Sequence, residues 1–191
     1  PIACMFQIGS ALQTIASRNV SPMSSSVVSV TTVHGGDAWN VIPDSCRMTG
    51  TARWFDPAVG DLIESRMRTI VDGVAAAMGC TATVEYQRRY PPTINDAETA
   101  AAVRAALTAG LGEDVLIDKP RGGMGAEDFA YFVTPESGVK GVYFSVGGTP
   151  ADQVDRAPGH HSGLFRITPE PAVTLGVEGS VLAAEALMPR R

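Results

Sequence analysis

The apolar residues Ile2, Met5, Ile8, Leu12 and Ile15 recur every three or four positions, which predicts a helix running to about Arg18-Asn19. The pattern then changes period. VVSVTTVHGG (residues 27–36) alternates β-branched with other residues and predicts a strand, and WNVIPDSCRMTGTARWF (39–55) predicts a second strand, entered through a hairpin turn at Gly35-Gly36-Asp37. Asp56-Pro57 supplies a cap and a first-turn proline for a long helix. Its face is Val59, Leu62, Ile63, Met67, Ile70, Val71, Val74 and Met78, closed by Gly79. CTATVEYQR (80–88) alternates again and predicts a third strand. Residues 1–88 thus read helix, strand, strand, helix, strand, and one preceding strand would complete a β-α-β-β-α-β pattern.

Tyr90-Pro91-Pro92-Thr93 reads as a linker, since paired prolines resist both helix and central strand. Beyond it, Asn95 with Glu98 predicts a capping box and a helix to about Gly110. GGMGAEDFAYF (122–132) reads as a glycine-rich loop running into a short helix, and GVYFSVGG (141–148) as a buried strand. Thr168-Pro169 opens a last amphipathic helix through Val173, Val177, Val181 and Leu187. The fold class is α/β, yet this second segment offers too few strands for a complete sheet, so its partners are expected outside the chain. No initiator Met precedes Pro1, and the helical spacing begins at once, so the chain is expected to be part of something longer.

Composition narrows the function. The 191 residues are 45% hydrophobic and carry a net charge of −5, with no basic run, which argues against nucleic acid as a partner. The longest apolar stretches fall short of the roughly 18 residues a membrane span needs. PIACMFQIGS has neither the basic region nor the apolar core of a signal peptide, and a cytoplasmic protein is expected. Cys4, Cys46 and Cys80 are odd in number and widely spaced, which predicts reduced, buried thiols rather than a disulfide framework.

Candidate chemistry centres on three histidines. RAPGHHSGLF (156–165) sets His160 beside His161 in a Gly/Pro-flanked loop, and His34 stands alone before the hairpin. Adjacent side chains in an extended loop tend to point apart, which argues against one site built from all three. Solvated loop polarity is the plain alternative. Asn40, in NVIPD (40–44), reads either as a turn cap or as a donor, and Arg53, in GTAR (50–53), either as a strand-edge charge or as an anion grip. Glu127 and Asp128 stand at a helix start, where acids suit the dipole, and are not assigned as metal ligands.

Taken together, HHSGLF, GGMGAEDF, NVIPD and GTAR resemble the aminoacylase and hippurate-hydrolase branch of the dinuclear metallopeptidases. That branch includes bacterial N-acyl-amino-acid amidohydrolases and auxin-conjugate hydrolases. The resemblance covers essentially the whole chain but not the family's full length. It implies that residues 1–88 are most of a ferredoxin-like α+β lid that makes a homodimer contact and lacks its first strand, and that 89–191 are the C-terminal part of an α/β catalytic domain. The remaining metal ligands, the general-base glutamate and a lid histidine are then expected outside this chain.

The resemblance further implies that His161 is a ligand to one of two divalent ions (Zn, Mn, Co or Ni), although Gly163 stands where the family usually has proline. It makes Asn40 and Arg53 the lid pair that reaches the substrate: Arg would grip an α-carboxylate with two parallel hydrogen bonds, and the Asn amide would donate to the scissile carbonyl. The loop Gly122–Gly125, with Gly123 and Gly125, and Asp128 would line the pocket; His160 has no ligand role, and His34 is an exposed lid residue. The implied function is metal-dependent hydrolysis of N-acyl amino acids, with the isolated chain inactive. The alternative is a non-catalytic dimerisation or binding module that keeps the lid fold.

Overall fold

A computed structural model describes residues 1–117 and 123–188. They gather into two compact units, residues 1–92 with 123–126, and residues 93–117 with 127–188.

In the first unit, helix α1 (Ile2–Leu12) buries Met5, Ile8 and Leu12 of the stripe its spacing predicts and Cys4 beside it, while Ile2 is half-buried. The helical path then widens into a π-helical turn, Ile15–Asn19, closed where Val20 N donates to the Ile15 carbonyl at 3.1 Å; this turn seats Ile15 fully inside. Strands β1 (Ser26–His34) and β2 (Arg47–Trp54) pair antiparallel, with a bulge between Val30 and Thr32. Gly50, opposite Val30, has to be glycine, because a Cβ there would run into the Ser29 carbonyl.

Helix α2 (Pro57–Ala77) starts as its sequence signals require, with the Asp56 carboxylate accepting from Ala58 N at 2.9 Å and Pro57 in the first turn. It ends at Gly79, whose φ of +64° is the left-handed conformation glycine adopts most readily. The core of this unit unites α1, β1 and α2 through Cys4, Ile8, Leu12, Ile15, Val28, Ile63, Val71 and Ala75. Of the predicted α2 face, Leu62 and Met78 lie toward solvent instead.

Two strand expectations in this unit are corrected. The second strand begins at Arg47, not at Trp39, so a long connection, residues 35–46, replaces the tight hairpin turn and carries Asn40 off the sheet. Residues 37–45, DAWNVIPDS, carry their apolar side chains Trp39, Val41 and Ile42 exposed, and Pro43 has no N–H to give a ladder. Residues 80–86 do alternate between half-buried and exposed, and Cys80, Ala82 and Val84 pack on the core. They nevertheless pair with no described strand; side chains hold them, with Arg68 Nη1 donating to the Val84 carbonyl at 3.0 Å and Arg88 bridging Asp61 at 2.6 Å and Glu64 at 2.8 Å.

In the second unit, α3 (Ala97–Leu111) and α4 (Pro169–Leu187) pack through Val103 and Leu107 against Ala183. The cap of α3 is Asp96, not Asn95: the Asp96 carboxylate accepts from Thr99 N at 2.9 Å and Thr99 Oγ1 at 2.7 Å. Glu98 pairs instead with Lys140 at 2.6 Å. Asn95 is occupied elsewhere, donating from Nδ2 to the Tyr143 carbonyl at 2.9 Å and accepting from Tyr143 N at 2.8 Å.

Residues 141–148, expected to form a buried strand, join no ladder among the described residues; Asp96 N donates to the Gly141 carbonyl at 3.0 Å and Thr168 N to the Gly148 carbonyl at 2.8 Å, and Tyr143, Phe144 and Val146 are exposed. The Asn95 amide takes the place that one residue of a neighbouring strand would occupy. On α4 the predicted apolar row Val173, Val177, Val181 and Leu187 is also exposed, because Gly179 and Ala183, on another side of the helix, make the contact with α3. Small residues win there because they let the two helices approach closely, with Leu107 Cδ2 only 3.5 Å from where a Gly179 Cβ would stand. No helix among the described residues is long and apolar enough to cross a membrane.

Candidate functional site

In the first unit the structure brings Arg53 together with the glycine-rich loop. Arg53 lies on β2 opposite Val27, and its Nη1 donates to the Met124 carbonyl at 2.8 Å in a part-buried setting. The neighbouring Gly123 and Gly125 are exposed, and a Cβ on either would meet open space, so internal packing does not explain their lack of a side chain. Gly122 lies outside the described residues.

Asn40 is exposed on the connection between the strands, in a turn closed by Val41 N donating to the Ala38 carbonyl at 3.4 Å. Trp39 beside it is 97% exposed. The turn reading of Asn40 is thus satisfied by the backbone around it, and its side chain is accessible. His34 ends β1 opposite Arg47 and is exposed, as expected of it.

In the second unit, Asp128 opens a 3₁₀ helix, Asp128–Val133, and is exposed, whereas Glu127 is half-buried. The Tyr143 hydroxyl donates to the Glu127 carboxylate; this bond, with burial and the charges of Glu127 and Asp128 added, pushes the phenol above its ordinary range. The Tyr143 ring also packs at a tilt against Phe129, with centroids 5.7 Å apart. Tyr143 was missed in the sequence because GVYFSVGG reads as uniformly buried strand, which assigns its hydroxyl no partner.

His160 and His161 are both exposed but sit differently. The His160 ring meets Phe165 edge-on at 4.9 Å, while His161 adopts φ +67°, the one positive value at a non-glycine residue among those described. Left-handed backbone at such a residue costs free energy and tends to persist where function requires it. The turn after it is tied locally, with Phe165 N donating to the Ser162 carbonyl at 3.0 Å, and Arg166 Nη1 donating to the carbonyls of Gly163 at 3.2 Å and Phe165 at 2.7 Å.

Comparison with known proteins adds the decisive observation: residues 6–170 match the family described as Peptidase family M20/M25/M40. The chain belongs to that family. Among its M20 relatives, the YhaA protein of Bacillus subtilis (strain 168) is 35% identical over 182 residues, covering 95% of this chain and 44% of the relative. N-acetyl-L-cysteine deacetylase of the same organism is 39% identical over 134 residues, covering 70% and 31%. The solved structure of Bacillus subtilis YXEP, described as a dinuclear metal-binding peptidase from the M20 family, superposes with a TM-score of 0.70 at 29% identity, covering 98% of this chain and 46% of that one. The chain therefore spans less than half the length of each of these relatives.

An M20 chain raises the question of metal. No group of three His, Cys, Asp or Glu side chains able to hold an ion occurs among the described residues. His161 is a single donor, and a metal centre needs three or four. The residues in hand do not by themselves fit a dinuclear site.

Proposed function

We propose that this chain is part of a metal-dependent amidohydrolase that cleaves the amide bond of N-acyl amino acids. The observation that carries the reading is the placement of Arg53, a guanidinium directed at the glycine-rich loop within an M20 chain. One of its nitrogens satisfies Met124, and the planar fork retains further donors for a ligand carboxylate. Asn40, exposed and with an unburied amide, serves as donor to the acyl carbonyl oxygen. The open surroundings of Gly123 and Gly125 leave room for substrate along the loop, with Asp128 at its end. His161 contributes one ligand to a pair of divalent ions, Zn, Mn, Co or Ni, whose other ligands are supplied from outside these 191 residues.

In this reading residues 1–88 are the lid and make a homodimer contact, residues 89–191 are the C-terminal part of the catalytic domain, and the protein works in the cytoplasm. Support for the substrate class comes from the deacetylase named above and from IAA-amino acid hydrolase ILR1-like 2 of Arabidopsis thaliana, 32% identical over 171 residues and covering 87% of this chain and 37% of the relative. A non-catalytic module is less favoured, because relatives named for an activity are named as hydrolases.

The test is an assay of the whole protein against N-acetyl and N-benzoyl amino acids, before and after chelation. Amine release that disappears with chelator and returns with added divalent metal is expected. Activity unaffected by metal removal, or none on any N-acyl amino acid, would overturn the reading.

A further inference from the structure

The connection between β1 and β2 carries apolar side chains that the unit does not bury. Trp39 is 97% exposed, Ile42 83% and Val41 61%. A single apolar residue in water is ordinary, but three within four positions make a patch, and patches of that kind mark sites of contact. Asn40, the amide proposed above as donor to the acyl carbonyl, is exposed in the middle of it.

The patch is held in place. Its neck is closed where the strands end, with the Cys46 sulfur 2.7 Å from where a Gly35 Cβ would be built. One step further out the Pro43 ring lies 3.6 Å from where a Gly36 Cβ would be built, and Gly36 takes φ +78°, which glycine adopts without strain. At the tip, Val41 N donates to the Ala38 carbonyl at 3.4 Å and closes a turn whose two central residues are Trp39 and Asn40. An indole and an amide are thus presented next to each other on a pinned turn, and nothing among the described residues covers the indole.

We propose that Trp39 reads the acyl group of the substrate: its indole packs against the acyl portion whose carbonyl oxygen Asn40 holds, so that aromatic acyl groups are favoured over acetyl. The inference rests on the amidohydrolase reading above and on the place of Asn40 in it. Neighbouring Cα atoms are about 3.8 Å apart, and the acyl oxygen and the rest of the acyl group leave the same carbon, so an amide that holds the oxygen sets the acyl group within reach of the residue beside it. An aromatic ring covers the indole in an offset or edge-on arrangement, whereas the methyl of an acetyl group covers little of it. A donor amide among apolar side chains is also the make-up of a small-molecule site, in which a few polar groups orient the ligand and apolar ones supply the contact area. Val41 and Ile42 extend that area on the other side of Asn40.

The test compares two substrates in the whole protein. Values of kcat/KM are measured for the N-benzoyl and N-acetyl derivatives of one amino acid with wild type, Trp39→Ala and Trp39→Phe. Because Trp39 is almost wholly exposed, neither substitution should change Tm. The wild type should favour the benzoyl substrate; Trp39→Ala should lower kcat/KM on it about tenfold and leave the acetyl substrate within about twofold, and Trp39→Phe should recover most of the loss. A wild type that favours acetyl, an equal loss on both substrates, or no change on either would overturn the proposal, an equal loss assigning Trp39 to the turn itself or to a contact with another protein chain. If the wild type cleaves neither substrate, the amidohydrolase reading fails, and the role of Trp39 fails with it.

Discussion

Arg53 Nη1 donates to the Met124 carbonyl at 2.8 Å, so a side chain from a strand is held by the backbone of a glycine-rich loop distant in sequence. A backbone carbonyl is a neutral acceptor, and an incoming carboxylate makes the stronger, charge-assisted partner. The present bond therefore preorganises the guanidinium without saturating it.

In the whole protein, Arg53→Ala is expected to lower kcat/KM on N-acyl amino acids on the order of 10²-fold or more while the fold stays intact. Arg53→Lys should recover only part of the loss, because an ammonium lacks the planar fork. Rates on an N-acyl amino acid and on its carboxamide analogue decide the matter. The wild type should prefer the acid strongly and Arg53→Ala hardly at all; a full acid preference in the variant would make Arg53 a structural residue of the loop contact alone.

The Asn95 amide brackets Tyr143 with two hydrogen bonds, and Asn95→Ala leaves both backbone groups without them. Since Tyr143 is exposed, water compensates in part, and a loss of about 1–2 kcal/mol is expected. Urea titration should show the midpoint falling with an unchanged slope. Asn95→Asp should not restore the wild-type value, because a carboxylate would face the Tyr143 carbonyl.

Asp96 gives a pH signature. Its carboxylate accepts from the Thr99 backbone N–H and hydroxyl, with Lys140 nearby, and these hold it below the usual carboxylate range. Because the folded value is depressed, the stabilisation is fully present above the unfolded value of about 3.9 and is lost as pH falls through the lower folded value. The Tm difference between wild type and Asp96→Asn should be flat at neutral pH and shrink below about pH 4. A difference independent of pH over that range would show that the cap bonds do not depend on charge.

His161 should separate stability from function. Glycine accepts φ +67° without strain, so His161→Gly is expected to leave Tm unchanged or slightly raised while abolishing activity of the whole protein. The 191-residue chain, for its part, should retain well under one metal per chain after dialysis against a chelator. Tight stoichiometric zinc, found by elemental analysis, would contradict the single-ligand reading of His161.

Local signals were legible wherever a residue acts on its own neighbours. Asp56, Pro57 and Gly79 bound α2 as their chemistry demands, and the alternation of residues 80–86 survives in their burial. Of pairing the sequence conveyed only a shortage, too few strands in the second segment for a complete sheet. Residues 80–86 and 141–148 carry strand patterns, but a pattern does not state whether a neighbour is present to complete the ladder.

Adjacent polar residues were a second blind spot. Asn95 and Asp96 are both competent caps, and only the arrival of Tyr143, far along the chain, assigns one to the helix and the other to the extended segment. At the candidate site, Arg53 and His161 were visible as side chains. The Met124 carbonyl was not, because every residue has one, and the left-handed backbone of His161 has no sequence mark at a histidine.

The bulge between Val30 and Thr32 divides β1 into two regimes. Before it, residues 26–30 are buried or half-buried, and Val28 reaches the core; after it, every residue to His34 is exposed. The far end of the β1–β2 ribbon is stiffened by its own ladder and by the contact of the Thr32 and Thr49 hydroxyls, and one side of it leans on α1, where Met48 meets Gly9 and Ile2 meets Gly35; Asn40 is exposed on the connection that joins the strands. Its length is tied to that helix: two residues added to each strand would carry the connection outward by about 7 Å and keep every side chain on its original face, but would draw Gly35 away from Ile2. The reach of Asn40 is thus set by the number of residues past the bulge together with the place where α1 begins, so the two can change only in step.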